Sequence, residues 1–382
     1  MAEGKITTSI KNIVMIAGGM FAFTMGAGFA SGQELLQFFV VYGKQFWVPM
    51  ITAAFFMLWL SISFAKAGYE NKFETTHDVY YYYGGKYLGR FFDFFILVYC
   101  YACFFFMAAS AATVLNETFG LPKIVGAVVL GAVILGTVIF GFEGLAKVMG
   151  ISGVVDLTLL LIVIAVTFAL NWQNIPEGIK LADSGAGITR GGFTGIPLLE
   201  GAAYLGGNNL YFAIYLSELG ARRPRRDSKT GVVAGSLLIM GVIMLAVMAL
   251  FSVLPAVAGD NIPNLTLAKR ITPFAGIIFT FVILLEVYNT SAPQIWTLAK
   301  RIAPDEKSLK FRLWAIAFIA VGIAVALLVP FKTLVGSVLS LCGYVVCLFY
   351  ILVIVKDIKT WLTHRKEKKN ETDEIESNVV KS

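Results

Sequence analysis

Ten apolar segments divide the sequence, and each is near or above the length of about 20 residues that a helix needs to cross a bilayer. Of the 382 residues, 58% are hydrophobic and only 14% are charged, and the mean hydropathy is +0.77. A water-soluble domain does not carry this much apolar surface, so we predict an all-α integral membrane protein with ten transmembrane helices. The predicted spans, numbered 1 to 10, are 12–41, 46–67, 91–116, 122–141, 148–170, 194–219, 230–255, 272–299, 313–330 and 333–357.

The distribution of positive charge predicts the orientation of these spans. With the N-terminus in the cytoplasm, 24 of the 31 Lys and Arg residues fall on the cytoplasmic side and 7 on the other side. We therefore predict a multi-pass protein of the cell membrane with both termini in the cytoplasm. The basic run at 222–226 is interpreted as a determinant of this topology, with binding of a lipid headgroup as the alternative.

Spans 1 and 6 are interrupted by similar glycine-rich stretches. The sequence GAGFASGQEL occupies 26–35, and GAAYLGGNNL follows 175 residues later at 201–210. Glycine is unfavourable inside a helix, and a backbone group freed in lipid must be satisfied by protein or water. The pair therefore predicts irregular backbone that faces a site, as in transporters built from two repeats. Close packing of small residues is the alternative, which the polar pairs at 33–34 and 208–209 make less favourable.

The spans divide into two equal groups. Five spans precede a predicted external linker at 171–193 and five follow it. Because each group holds an odd number of spans, the two groups enter the membrane from opposite sides, which predicts a 5+5 inverted repeat. The predicted units are 1–170, the linker 171–193, the second repeat 194–360, and a disordered cytoplasmic tail 361–382.

The two interruptions define a candidate solute site. Free N–H groups after a break favour a carboxylate, and free carbonyls before it favour a cation, so a zwitterion fits between them. Two tyrosines of span 3 place hydroxyl groups at mid-membrane depth, with core packing as the alternative. The candidate solute-binding residues are Gly28, Ala30, Ser31, Gly32, Gln33, Tyr99, Tyr101, Tyr204, Gly206, Gly207 and Asn208.

Polar side chains inside spans are candidates for ion coupling, because such groups are costly in a membrane. Among the ionisable groups inside spans, Asp156 is the one we weight most. The hydroxyls of Thr290 and Ser291, with carbonyls from span 1 and a carboxylate, form an oxygen cage suited to sodium. The alternatives are hydrogen bonds of the two hydroxyls to their own helix and a structural hydrogen bond of the aspartate. For Glu34 the alternative is a capping role at the start of its half-helix. The carboxylates that are candidates for a proton or a cation are Glu34, Glu200 and Glu286.

The motif GAGFASGQE at 26–34 resembles the first-helix motif of the bacterial YkvI-type membrane proteins. More broadly, the 5+5 layout with two interrupted helices resembles the amino acid–polyamine–organocation superfamily with the LeuT fold. The likeness covers spans 1 to 10. The Asn-Phe-x-Arg sequence that follows the break in the sodium-symporter family is absent, since QELL stands at 33–36.

This resemblance implies roles for several residues. Members of the superfamily bind solute at the unwound parts of helices 1 and 6, and many hold sodium between helix 1 carbonyls and a Ser/Thr pair on helix 8. The pair Thr290–Ser291 matches by position, and the carbonyls of Gly26 and Phe29 complete the expected site. Asp156 matches a helix 5 position where some members carry a carboxylate or a lysine. The tyrosines of span 3 match a helix 3 tyrosine that often touches the solute.

These observations predict a secondary active transporter rather than an enzyme. We expect it to move a small organic solute, an amino acid or a related compound, by alternating access with sodium as the coupling ion. A proton-coupled amino acid or amine transporter and a non-transporting membrane sensor are the alternatives. With two histidines and four cysteines in apolar runs or loops, we expect no cofactor beyond the coupling ion, and no nucleic acid partner.

Overall fold

The computed structural model describes residues 2–24, 27–75, 77–139, 158–185 and 187–380, which form helices and loops without a β-strand. The helices of the first half are α1 (Ala2–Thr24), α2 (Ala27–Ser31), α3 (Gln33–Phe38), α4 (Trp47–Asn71), α5 (Asp78–Phe119), α6 (Lys123–Ile139), α7 (158–171) and α8 (Ile175–Asp183). The helices of the second half are α9 (Pro197–Tyr204), α10 (Gly206–Arg222), α11 (Arg225–Ser252), α12 (Leu254–Val257), α13 (Pro263–Ile271), α14 (Pro273–Ile302), α15 (Leu309–Leu328) and α16 (Phe331–Val380). Short 3₁₀ helices occupy Val40–Gln45 and Trp172–Asn174.

Each of the ten predicted spans coincides with one or more of these helices. Seven described stretches are long and apolar enough to cross a membrane, and shorter apolar helices at Ile10–Phe21 and Lys123–Ile139 correspond to spans 1 and 4. Span 6 is α9 followed by α10. In span 5, residues 148–157 lie outside the described part of the chain. The chain therefore has an all-α integral membrane fold, and the described helices are compatible with ten spans.

The contacts between helices in the first half of the chain recur between the corresponding helices of the second half. α1 packs along α11 and α10 packs along α4, so span 1 contacts span 7 and span 6 contacts span 2. Similarly, α5 contacts α6 and α15, whereas α14 contacts α15 and α6. Exchanging every span with the one five positions away converts each of these pairs into its counterpart. Two inverted halves produce this pattern, although the exact boundaries of the two halves stay predictions.

Glycines allow the closest of these contacts. On the interface of spans 2 and 6, Gly68 faces the backbone carbonyl of Ser217, and Gly220 faces the carbonyl of Ala65. On the counterpart interface of spans 1 and 7, Gly231 lies against the side chain of Ile16. Because membrane helices associate through packing rather than through a hydrophobic driving force, small residues at these positions bring the backbones together.

The C-terminal segment differs from the prediction. The backbone of α16 continues as a helix to Val380, where the sequence predicted a disordered tail from 361. No proline and no glycine occurs between 344 and 382, and the segment is rich in Lys and Glu, which are good helix formers. A helix that has begun in span 10 therefore extends past the span without a signal to end it.

A loop at 187–196, which we call the linker loop, lies against spans 1 and 10. Within it, the N–H of Gly191 donates to the carbonyl of Gln37 over 3.2 Å, and the hydroxyl of Ser340 donates to the Gly191 carbonyl over 2.7 Å. Gly191 is buried. The loop thus covers the end of α3, immediately beside the interrupted part of span 1.

Candidate functional site

The interruption of span 1 is confirmed at Gly32. This residue has φ 78° and ψ −5°, a left-handed conformation that glycine adopts without steric cost, and it separates α2 from α3. The Ser31 hydroxyl donates to the Gly28 carbonyl over 2.8 Å and accepts the N–H of Gln33 over 3.2 Å. The first part of the predicted interruption, including Gly26, lies outside the described residues.

Two carbonyls at this interruption are capped by a side chain that sequence reasoning missed. The Asn264 amide nitrogen, on α13, donates to the carbonyls of Phe29 over 3.0 Å and Ala30 over 3.1 Å. The N–H of Gly32 also donates to the Phe29 carbonyl, over 2.9 Å. An Asn side chain suits this place because its amide carries two N–H donors. The only sequence signal was the position of Asn264 in the loop region between spans 7 and 8.

The interruption of span 6 is smaller than predicted. α9 ends at Tyr204, Leu205 has φ −93° and ψ 12°, and α10 begins at the next residue. A Cβ on Gly206 would lie 2.6 Å from the Cα of Gly343, and one on Gly207 would overlap the ring of Tyr99. Close packing, the alternative reading of this glycine motif, therefore accounts for both glycines.

Among the described residues, a hydrogen bond between side chains joins the two interrupted spans. The Tyr204 hydroxyl, at the end of α9, donates to Glu34 Oε1 over 2.7 Å. A Cβ on Gly28 would overlap Glu34 Oε2, so this glycine makes room for the carboxylate. The Tyr204 ring packs against Phe39, with centroids 4.7 Å apart. Glu34 thus binds the other interrupted span.

Span 3 supplies a further wall of the site. Tyr99 and Cys103 lie one helical turn apart on α5, and both side chains are buried. The Tyr99 ring lies against Gly207. The sequence interpretation of Cys103 as a buried small side chain is confirmed.

The prediction for Tyr101 requires a correction. Its hydroxyl donates to the carbonyl of Phe318 on α15 over 3.1 Å, and the two rings are 5.1 Å apart. Residues two apart on a helix point to different faces, since each residue advances the helix by about 100°. Tyr101 therefore faces span 9, and Tyr99 alone joins the site.

The described residues bring together only part of the predicted sodium cage. The Thr290 hydroxyl donates to the Glu286 carbonyl over 3.0 Å, which is the predicted alternative of bonding to its own helix. The Phe29 carbonyl accepts two N–H donors and has no lone pair left for an ion in this arrangement. The Ser291 hydroxyl is fully buried and has no hydrogen-bond partner in the described part of the chain. Asp156 lies outside the described residues.

Glu200 anchors the linker loop instead of facing the solute site. Its side chain is fully buried, and Oε1 accepts the Thr194 hydroxyl over 2.8 Å and the hydroxyl of Tyr344. The N–H of Phe193 donates to the Tyr344 oxygen over 3.1 Å. The carboxylate therefore connects α9 and α16 to the loop. Its predicted role as a proton or cation site stays a prediction.

The remaining polar candidates lie at the edges of the site. With its amide nitrogen facing the carbonyls of Asp260 and Asn261, Gln33 donates to them over 3.1 and 3.2 Å and accepts from the Gln37 amide over 2.8 Å. It thus contacts the loop before α13 rather than the space beside Glu34. Asn208, on α10, is partly buried.

Comparison of structures identifies a solved transporter with a similar fold. The manganese transporter of Eremococcus coleocola, in a mutant form with one histidine replaced by alanine, superposes with a TM-score of 0.54 at 13% identity, over 89% of this chain and 77% of that one. The same transporter bound to an aromatic bis-isothiourea substituted compound gives a TM-score of 0.54 at 13% identity, over 92% and 78% of the two chains. The chain shares the fold of that transporter.

The likeness is one of fold rather than of sequence. No protein-family model matches the sequence, and no curated protein matches it either. At 13% identity, the solute of the solved transporter does not carry over to this chain. The candidate site therefore has to be interpreted from its own residues, and the resemblance to the YkvI-type proteins stays a resemblance.

Proposed function

We propose that the protein is a secondary active transporter that moves a small solute with a cationic amino group, an amino acid or a related compound, by alternating access. The fold shared with a solved transporter supports this proposal. The interrupted helices support it as well, because discontinuous spans in two repeats form the solute sites of such proteins.

The single observation that carries the proposal is the placement of Glu34. Its carboxylate is partly buried at the interruption of span 1, and a neutral hydroxyl from span 6 holds one of its oxygens. In the described part of the chain, no Lys, Arg or His forms an ion pair with it. A carboxylate in a low-dielectric site needs a counter-charge, and an ammonium group of the solute supplies both the charge and N–H donors.

The same contact explains how the solute would be coupled to movement. Glu34 belongs to span 1 and Tyr204 to span 6, so a solute bound to the carboxylate touches both interrupted spans at once. Rocking of these spans against the rest of the bundle then changes the side from which the site is reached. Tyr99 and Cys103 on span 3 belong to the part that does not move.

Sodium remains the proposed coupling ion, and the proton is the alternative. The buried Ser291 hydroxyl, which lacks a partner among the described residues, supports a hard cation near spans 1 and 8. A proton would instead bind a carboxylate of the site. Glu34 is the candidate, because it lies beside the proposed solute position.

A divalent metal is a second candidate solute, since the similar fold belongs to a manganese transporter. Manganese prefers several oxygen ligands. Among the described residues, Glu34 is the one carboxylate at the site, and no group of three His, Cys, Asp or Glu side chains is placed to hold a metal. We therefore favour the organic cation.

A thermal-stability panel on the purified protein tests the proposal. We expect amino acids or amines to raise the melting temperature, because a ligand that binds only the folded state stabilises it. The matched controls are carboxylic acids of the same carbon skeleton without the amino group, and manganese chloride, each with and without sodium. Stabilisation by manganese alone, or by the controls as strongly as by the amines, would contradict the proposal.

A further inference from the structure

A short helix at the start of α5 contacts several spans at one end of the bundle. We call residues 78–84 the tyrosine helix, because tyrosines occupy positions 80–83. It ends at Gly85, where φ 64° and ψ −162° interrupt α5 in a conformation that favours glycine. Nothing lies within 4 Å of a Cβ built on Gly85, so the backbone conformation rather than close packing requires glycine there. Gly85 is therefore a suitable hinge between the tyrosine helix and span 3.

The tyrosines bind this helix to spans 6, 2 and 10. Tyr80 and Tyr83 are buried, and the Tyr80 hydroxyl donates to the carbonyl of Leu210 on α10 over 3.0 Å. The hydroxyls of Tyr83 and Ser63, on α4, lie 2.8 Å apart, and the Ser63 hydroxyl donates to Asp357 Oδ1 on α16 over 2.9 Å. Because span 6 is one of the interrupted spans, the tyrosine helix is attached directly to a helix of the candidate site.

The residue before the tyrosine helix belongs to a small charged cluster. His77 Nδ1 lies 2.7 Å from Asp93 Oδ1, and Asp93 belongs to the part of α5 beyond the hinge. The other carboxylate oxygen lies 3.6 Å from the guanidinium of Arg301, near the end of α14, and 3.5 Å from the Tyr81 hydroxyl. The side chain of Asp93 is only 13% exposed, so these contacts are partly shielded from water and salt. The cluster therefore connects the start of the tyrosine helix to spans 3 and 8.

The charged and titratable groups around His77 come from three elements. Asp93 faces it from α5, and Arg301 from α14 contacts the far oxygen of the same carboxylate. In the tyrosine helix, the Asp78 carboxylate accepts a backbone N–H over 2.8 Å, and the ring of Tyr80 lies 6.2 Å from the imidazole. In the described part of the chain, Asp93 is the one carboxylate in ion-pair contact with His77.

The contact between His77 and Asp93 depends on pH, because histidine changes its charge between pH 5 and 8. At the acid end of this range, an imidazolium faces a carboxylate, and their attraction holds the tyrosine helix against span 3. As the pH rises, the ring becomes neutral and the attraction weakens, whereas Arg301 stays charged and keeps its contact. The stabilisation is therefore present at low pH and is lost as the pH rises.

We propose that the tyrosine helix holds span 6 against spans 3 and 8, and that protonation of His77 strengthens this hold. In the proposed transport cycle span 6 moves and span 3 does not, so the tyrosine helix crosses the boundary between the moving and the fixed parts. Acidification of this side of the membrane, which is predicted to be the cytoplasmic side, then slows the movement of span 6. Only this consequence for transport rests on the proposed function; the pH-dependent contact itself does not.

Hydrogen exchange of the full-length protein, without any solute, tests this contact. His77→Gln keeps an amide donor near Asp93 but does not carry a positive charge. At pH 6, exchange across 78–84 should be about threefold faster in this variant than in the wild type, a modest effect because the His77 side chain is 40% exposed. At pH 8 the two rates should agree. Comparing the two proteins at the same pH removes the intrinsic pH dependence of exchange.

The chain offers a matched control, because it contains only one other histidine. His364→Gln removes that residue from the C-terminal segment and should exchange like the wild type at both pH values. Asp93→Asn removes the carboxylate and keeps the size of the side chain. Adding His77→Gln to Asp93→Asn should therefore cause no further change at pH 6, since the two residues act through one contact.

A second measurement keeps the proposal testable if His77→Gln fails to fold. In His364→Gln, the remaining histidine gives one ring signal in NMR spectra, and this signal should titrate between pH 5 and 8. The proposal is overturned if that signal is constant over this range, or if the exchange ratio of His77→Gln to wild type is the same at pH 6 and pH 8. Both outcomes are separate from a failure of the amino acid panel, which would contradict the transporter proposal instead.

Discussion

Replacing Glu34 with glutamine is expected to weaken binding of the amine solute by about 100-fold, equivalent to about 2.8 kcal/mol. The substitution keeps the size of the side chain and an oxygen that accepts the Tyr204 hydroxyl, but it removes the negative charge. A cationic group that enters a low-dielectric site without its counter-charge bears the full cost of desolvation. The effect should appear in the affinity measured with an amino acid that stabilises the wild-type protein.

Two matched variants define what this result means. Tyr204→Phe removes one hydroxyl donor and leaves the charge, so we expect a loss of about 1 kcal/mol, or about fivefold. Glu218→Gln removes a carboxylate that pairs with Arg222 on α10, one helical turn away, and it should leave the affinity unchanged. If Glu34→Gln binds the solute as tightly as the wild type, the carboxylate does not recognise an amine and the proposed solute class is wrong.

The second large effect is expected for Gly68→Ala, which should destabilise the fold by about 3 kcal/mol. A Cβ at this position would overlap the backbone carbonyl of Ser217, and backbone atoms in a packed helix do not move aside cheaply. The substitution therefore forces spans 2 and 6 apart. Since span 6 carries Tyr204, the loss should extend to solute binding.

Gly241→Ala is the matched control for this prediction. Gly241 also lies inside a long span helix, α11, but nothing is within 4 Å of a Cβ built on it. Alanine is the better helix former by about 1 kcal/mol, so this variant should be as stable as the wild type or slightly more stable. Equal melting temperatures for the two alanine variants, measured by size-exclusion chromatography after heating, would show that the interface tolerates the extra carbon.

The fold was largely predictable because the bilayer limits the possible structures. A chain with ten apolar segments of the required length has to place them as helices, and the odd number in each half requires opposite orientations. The interruption at Gly32 was predictable for the same reason, because glycines and a serine before polar residues are not expected within a continuous span. The helical tail up to Val380 was not predictable, because composition alone does not show that a preceding helix will continue.

The contacts of the site were less predictable than its residues. Glu34 and Tyr204 were both candidates, but their hydrogen bond joins residues 170 positions apart and depends on tertiary packing. Tyr99 and Tyr101 look equivalent in sequence, and only the rotation of α5 about its axis decides which one faces the site. Asn264 lies outside the spans, and nothing in its neighbourhood of the sequence shows which carbonyls it caps.

The two glycine motifs are similar in sequence but differ in structure. Gly32 has a left-handed conformation that interrupts its span, whereas Gly206 and Gly207 belong to a helix that resumes after one residue. The second pair is explained by the neighbouring Tyr99 ring and Gly343. The glycines therefore indicated both positions correctly. The sequence does not show, however, whether a glycine is needed for an unusual backbone conformation or for close packing.

The central proposal is that the protein transports a solute that binds where spans 1 and 6 are interrupted. Uptake into proteoliposomes is its most direct test. With purified protein, a radiolabelled amino acid chosen from the stability panel and an inward sodium gradient, we expect accumulation above the external concentration. An ionophore that collapses the sodium gradient should abolish it; loss only with a protonophore would instead identify the proton as the coupling ion. Binding without accumulation under either gradient would contradict active transport and indicate a membrane sensor.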